Sequence, residues 1–151
     1  MSAEENKTLI LQWLEIEERE GPEAVLDMHD PACRFPDVAF YGLPPTLDGY
    51  KQFMTAATGA FSDISYTVEV IAAEGDTVMV WGMQHATHTG LWRSIPATNK
   101  RVSYRVIGCY RLAHGKVIEH RFLIDSLSFL QQVGAFPSPK EVVLEQEGER
   151  E

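Results

Sequence analysis

Histidine is the one side chain whose proton comes and goes near neutral pH, so the five histidines of this chain are its first candidates for chemistry. His120 lies in a β-patterned stretch, on the face that the two-residue period shares with Phe122. Desolvation there would lower its pKa and a neighbouring carboxylate would raise it. It could act as a general acid or base or orient a substrate carbonyl; the plainer reading is a histidine hydrogen-bonded for structure. Asp125 falls where that strand gives way to a helix. It could orient His120 or act as a base, or simply cap the helix with its side-chain oxygen. His85 and His88 are three apart on one long strand, point to opposite faces and cannot share one metal ion. Trp81 shares parity with His85, and both are kept as substrate-binding candidates. Asp37 follows Phe35-Pro36 near Tyr41, where a carboxylate beside aromatic rings could become a perturbed base or remain a surface-loop acid. Tyr41 and Trp92 would suit a flat, polycyclic ligand, or plain core packing. No HxH or HExxH spacing, Gly-rich phosphate loop, nucleophile elbow or Cys–His nucleophile arrangement occurs. Neither a metal nor a cofactor is expected.

The elements that must carry these residues are legible in the pattern. A helix is predicted from about Glu4 to Glu20, with Leu9, Ile10, Trp13, Leu14 and Ile16 near helical spacing and acids on the other face. Gly21-Pro22 breaks it, and Pro22 starts a second helix to His29 that Asp30-Pro31 stops. A short extended piece, Cys33 to Phe35, and a loop lead to a third helix, roughly Asp48 to Phe61. The second half turns to β-branched alternation, with strands Ser65–Ala73, Thr77–Gly90, Arg101–Leu112 and Lys116–Ile124. Glu74-Gly75-Asp76 and His114-Gly115 supply turns. Asp125 or Ser126 starts a short helix through Gln132, closed by Gly134. Helices first and an antiparallel meander second give an α+β fold. Four long strands must twist and curl, and helices on the concave side would make a cone with an interior cavity.

Bulk properties narrow the partners. The chain has 151 residues and reads as a single domain over 1–136, followed by an acidic, partly disordered tail over 137–151. A formal net charge of −9 argues against nucleic acid and against anionic membranes. No apolar run of spanning length occurs, and the polar, acidic N-terminus is unlike a signal peptide. Cys33 and Cys109 lie far apart and read as reduced thiols of a cytoplasmic protein.

Certain strings, taken in order, resemble a known family. Thr87-His88-Thr89-Gly90 precedes Ile95-Pro96-Ala97-Thr98-Asn99-Lys100, then His114-Gly115-Lys116-Val117-Ile118-Glu119-His120, Asp125 and Leu130-Gln131-Gln132-Val133-Gly134. This is similar to the SnoaL-like polyketide cyclases of the nuclear-transport-factor-2-like fold, over roughly Asn6 to Phe136. The resemblance implies a cone-shaped α+β barrel, a deep apolar pocket, a homodimer through the sheet's outer face, and ring closure by cofactor-free aldol chemistry with a His/Asp pair. His88 matches the family's THxG. The family's catalytic Asp position falls on Phe122 and its His position on Gly108, so the aldol pair does not carry over. If Gly108 and Phe122 face the pocket, the two-residue period brings Tyr104, Val106, Tyr110 and His120 in with them.

Two functions follow. One is a cofactor-independent cyclase or isomerase acting on a hydrophobic, polyketide-like substrate, with His120 and Asp125 or His88 moving a proton. The other is a non-catalytic small-molecule-binding module of the same fold; a hydrolase or dehydratase on this scaffold is a further possibility.

Overall fold

The computed structural model describes residues 1–140. Of the tail expected over 137–151, residues 141–151 lie outside the described residues. Helix α1, Ala3–Glu20, opens with a capping box: the Ser2 hydroxyl accepts from the Glu5 amide and the Glu5 carboxylate from the Ser2 amide. Ile10 and Trp13 are its buried seam. The second predicted helix is a 3-10 turn, Pro22–Met28. The chain then becomes strand β1, His29–Arg34, followed by a second 3-10 turn, Pro36–Tyr41, and helix α2, Leu47–Ala60. Strands β2 (Phe61–Glu74), β3 (Thr77–His88), β4 (Arg101–Ala113) and β5 (Lys116–Ile124) form the meander. Helix α3, Ser126–Gln132, ends the fold.

The sheet has five strands, in the order β1-β5-β4-β3-β2. The four-stranded antiparallel expectation is therefore corrected: β1 is a fifth strand and runs parallel to β5, pairing His29 with Val117 and Arg34 with Glu119 across an irregularity. Pro31 sits within β1 because an edge strand leaves one side free of ladder bonds. This extra pairing puts His29 beside the start of β5, opposite Val117. Helices α1 and α2 pack over one face of the curled sheet, and the main core lies between them. Among the described residues no helix is long and apolar enough to cross a membrane.

Glycine sets the curvature at one point that matters for the site. A Cβ on Gly82 would fall 2.3 Å from the Tyr66 ring and 2.6 Å from the Thr67 carbonyl oxygen. Without it, Tyr66 from β2 lies across β3 and donates to the Val106 carbonyl of β4 at 2.6 Å. One ring thus bridges three strands. Gly82→Ala is expected to expel that ring and cost roughly 1–3 kcal/mol by overpacking. Thermal unfolding checks this, with Tm falling by about 2–4 °C per kcal/mol for a chain of this size.

Candidate active site

Between the helices and the sheet is a cavity of about 390 Å³. That is within the range of small-molecule sites. Helix α1 contributes Trp13 and Glu17, α2 contributes Tyr50, Phe53 and Met54, and α3 contributes Phe129. The sheet contributes Phe61 and Tyr66 from β2, Gln84 from β3, Tyr104, Gly108 and Tyr110 from β4, and His120 and Phe122 from β5. Tyr41 and Trp92 come from connecting segments. The exposed members of the lining are Glu18, Thr58, Asp63, Ile64 and Ser126. No lysine or arginine lines it among the described residues.

The period-two reading of β4 and β5 places Tyr104, Tyr110, His120 and Phe122 on the cavity wall, and Tyr41 and Trp92 join them. Five other candidates lie elsewhere. Asp125 is exposed and caps α3, accepting from the Ser128 amide at 3.0 Å; the first turn of that helix holds its side chain away from His120's cavity. Asp37 is a strut: its carboxylate accepts the Phe122 amide at 2.9 Å. Trp81 and His85 face outward, by the same parity that sends Gly82 inward. Trp81 lies under the Arg105 guanidinium, 4.9 Å from its ring centre, and His85 bridges Thr67 and Ser103 at 3.1 and 2.7 Å. His88 is fully buried but packs between Phe61 and Phe129, with Nδ1 3.0 Å from the Thr98 hydroxyl; it stands behind the cavity wall.

His120 is held by rings on every side. Tyr110 stacks on it at 4.4 Å and His29 at 5.9 Å, while Trp13 meets it edge-on at 5.5 Å. Its Nδ1 has no hydrogen-bond partner among the described residues. Burial, reinforced by the neighbouring His29, drives its pKa well below the usual histidine range. No carboxylate offsets that, so His120 is neutral at physiological pH. His29 is also held neutral by burial; its Nδ1 lies 3.1 Å from the Val25 carbonyl, which fixes the proton on Nδ1.

Gly108 explains the vacancy on the floor. A Cβ there would lie 2.7 Å from Cε2 and 2.8 Å from the hydroxyl of Tyr110. The Tyr110 phenol occupies the space that a side chain at 108 would fill.

Sequence reasoning missed Glu17, Tyr50, Tyr66 and the second layer from His29. Glu17 had a signal: with Ile10 and Trp13 it falls at i, i+3 and i+7, so it is half-buried at the end of their seam and not on the acidic face. Burial pushes its carboxyl up to about 7. Burial, and next the Glu17 charge, also raise the phenols of Tyr50 and Tyr110 far above the usual tyrosine value. Tyr66 and Tyr104 are pushed up to about 12, mainly by burial. Among the described residues no group of three His, Cys, Asp or Glu side chains could hold a metal ion.

A curled sheet closed by helices over an aromatic cavity is the nuclear-transport-factor-2-like architecture, and solved structures share it. AclR from Streptomyces galilaeus, a candidate hydroxylase, is 25% identical, with a TM-score of 0.80 and coverage of 98% of this chain and 92% of its own. TsrD from Streptomyces laurentii is 20% identical, with a TM-score of 0.77 and coverage of 90% and 99%. IdmH from Streptomyces antibioticus, a candidate polyketide cyclase, is 20% identical, with a TM-score of 0.73 and coverage of 85% and 98%. No curated protein matches the sequence. The family model of SnoaL-like polyketide cyclases matches residues 7–133, and this chain belongs to that family.

A neutral buried histidine ties stability to pH. The unfolded chain protonates His120 below about pH 6.5, whereas the folded chain resists until much lower pH. The unfolded state then binds more protons, so this contribution to stability falls as pH drops below 6.5. His120→Phe removes it. The Tm difference between wild type and His120→Phe is expected to be constant above pH 7 and to move against the wild type from pH 6.5 to 5, as measured by thermal denaturation.

Proposed function

We propose that this protein is an acid/base enzyme that closes or isomerises an uncharged, hydrophobic carbonyl compound inside the cavity, without a cofactor. The observation that carries the reading is the wall itself: aromatic faces enclose a neutral imidazole and several phenols that keep their protons at physiological pH. A neutral imidazole or phenol can hydrogen-bond a substrate carbonyl and hold the charge that develops on its oxygen. Flat aromatic walls hold a polycyclic chain in a folded conformation, turning ring closure into a well-oriented intramolecular step. Membership of the polyketide cyclase family supports the substrate class. The similarity to AclR, a candidate hydroxylase, and to IdmH, a candidate cyclase, fits a scaffold on which the reaction varies while the cavity persists.

A binding module without turnover is the second reading. Gly108 and Phe122, which stand at the family's His and Asp positions, favour it. The two separate on one experiment. Trp13 and Trp92 line the cavity, so an aromatic polyketide ketone that enters should quench tryptophan fluorescence under either reading. Only the enzyme reading expects product by chromatography, with kcat falling about 10²–10³-fold in His120→Ala, as when one oxyanion donor is lost. Full turnover by that variant would remove His120 from the mechanism.

The homodimer is proposed on the outer face. Val70, Trp81, Ile107 and Leu123 are in direct register across β2 to β5, forming one apolar row of which Val70, Trp81 and Leu123 are exposed. A two-fold contact would bury the row against its own copy. Sedimentation is expected to give a dimer, and Trp81→Glu a monomer with an intact fold.

A further inference from the structure

We propose that Glu17, on the cavity side of α1, is the group that takes and returns the substrate proton, in place of the pair missing at Gly108 and Phe122. This rests on the acid/base reading above and names its proton carrier. Glu17 lies one helical turn beyond Trp13, on the seam that faces the sheet. Of the other charged residues of α1, Glu4 pairs with Lys7, Glu5 caps the helix, Glu15 and Glu20 pair with Arg19, and Glu18 is exposed. Glu17 has no hydrogen-bond or ion-pair partner among the described residues. It enters a cavity with no lysine or arginine in its lining. An unpartnered carboxylate among apolar walls is costly for a fold to keep. A hydrophobic residue at that heptad position would have packed without the cost.

Elimination points the same way. The other titratable groups of the lining are Tyr41 between β1 and α2, Tyr50 of α2, Tyr66 of β2, Tyr104 and Tyr110 of β4, and His120 of β5, with Glu18 and Asp63 exposed; burial raises the Tyr41 phenol as well. The buried phenols hold their protons, and His120 stays neutral, with a single ring N–H to donate. Glu17, half-buried on the cavity wall, is the group whose desolvation brings its titration to about 7, where a general acid/base works best.

The step balances without an oxidant or reductant. The Glu17 carboxylate removes a proton from a carbon beside the substrate carbonyl. The C–H pair becomes a C=C bond and the carbonyl π pair moves to oxygen, giving an enolate that His120 or a phenol can hydrogen-bond. The enolate carbon attacks a second carbonyl of the same molecule, and the resulting alkoxide takes the proton back from Glu17. For an isomerisation, the proton returns to a different carbon. Either course takes an uncharged, enolisable ketone, because an anionic substrate would meet carboxylates and no cation.

The test uses the full chain and 2-tetralone as an uncharged probe. Loss of its C1 protons in D2O is followed by NMR, and binding by tryptophan quenching. Wild type is expected to accelerate exchange, with a rate that rises with pH through a midpoint near 7. Glu17→Gln should bind the ketone as wild type does yet lose the acceleration by about 100-fold or more, together with that pH limb. Glu17→Asp, which keeps the carboxylate, should retain part of both. Exchange at the wild-type rate in Glu17→Gln would overturn the assignment and leave the acid/base reading standing. Wild type that binds the ketone without accelerating exchange would overturn both. Failure of both variants to fold would assign Glu17 a structural role and also overturn the proposal.

Discussion

The contact on which the site depends is the stack of His120 between Tyr110 and His29, with Trp13 set edge-on against it. Each of these rings comes from a different element: β5, β4, β1 and α1. Their packing joins the sheet to its first helix and its parallel edge strand. It also removes water from the imidazole, which is why His120 is neutral. Packing and electrostatics are the same event here. The rings that close this end of the cone give its histidine its chemical character, and a looser fit would return it to ordinary behaviour.

A second trade follows from that stack. Tyr110 can lie flat against His120 only because Gly108 leaves room for its ring. Gly82 does the same for Tyr66. In both places a strand residue gives up its side chain so that a phenol two residues away or on the next strand can take the volume. The cavity floor is therefore built from fewer, larger groups than the strand count suggests, and its polar character is that of hydroxyls that keep their protons. This accounts for the gap at 108 more fully than loss of a catalytic histidine alone: the position is occupied, by a neighbour's ring.

Most of the fold was legible because its signals are local. Alternation along β2 to β5, the Gly-containing turns and the Asp125 cap each depend on a few adjacent residues, and β5 and α3 begin and end where the pattern says. Strand β1 was not legible. Its six residues include Asp30 and Pro31, which argue against a strand, and what makes it one is the β5 edge beside it, far away in sequence. The site divides in the same way. Tyr104, Tyr110, His120 and Phe122 follow from period two once one inward residue is known. Asp125 and Asp37 misled because a carboxylate near a pocket and a carboxylate capping a backbone amide look alike until the amide is seen. His88 matches the family string but is placed behind the wall, packed against Phe61 and Phe129, which the string does not reveal. Glu17 was hidden in a helix rich in glutamate, where its charge matched the solvent face and only its spacing matched the core.

Pro31 has a consequence beyond its strand. A sheet's free edge is a template for further strands, and chains that leave it open can add copies of themselves without limit. At the β1 edge the missing proline amide interrupts the row of donors. At the opposite edge β2 departs from regular pairing twice, between Ser62 and Ser65 and between Val68 and Val70, with Asp63 at φ 50°. Both ends of the ladder are thus poor templates. Edge-to-edge growth of this strongly β-branched, aromatic-rich second half meets an interruption at either end of the sheet.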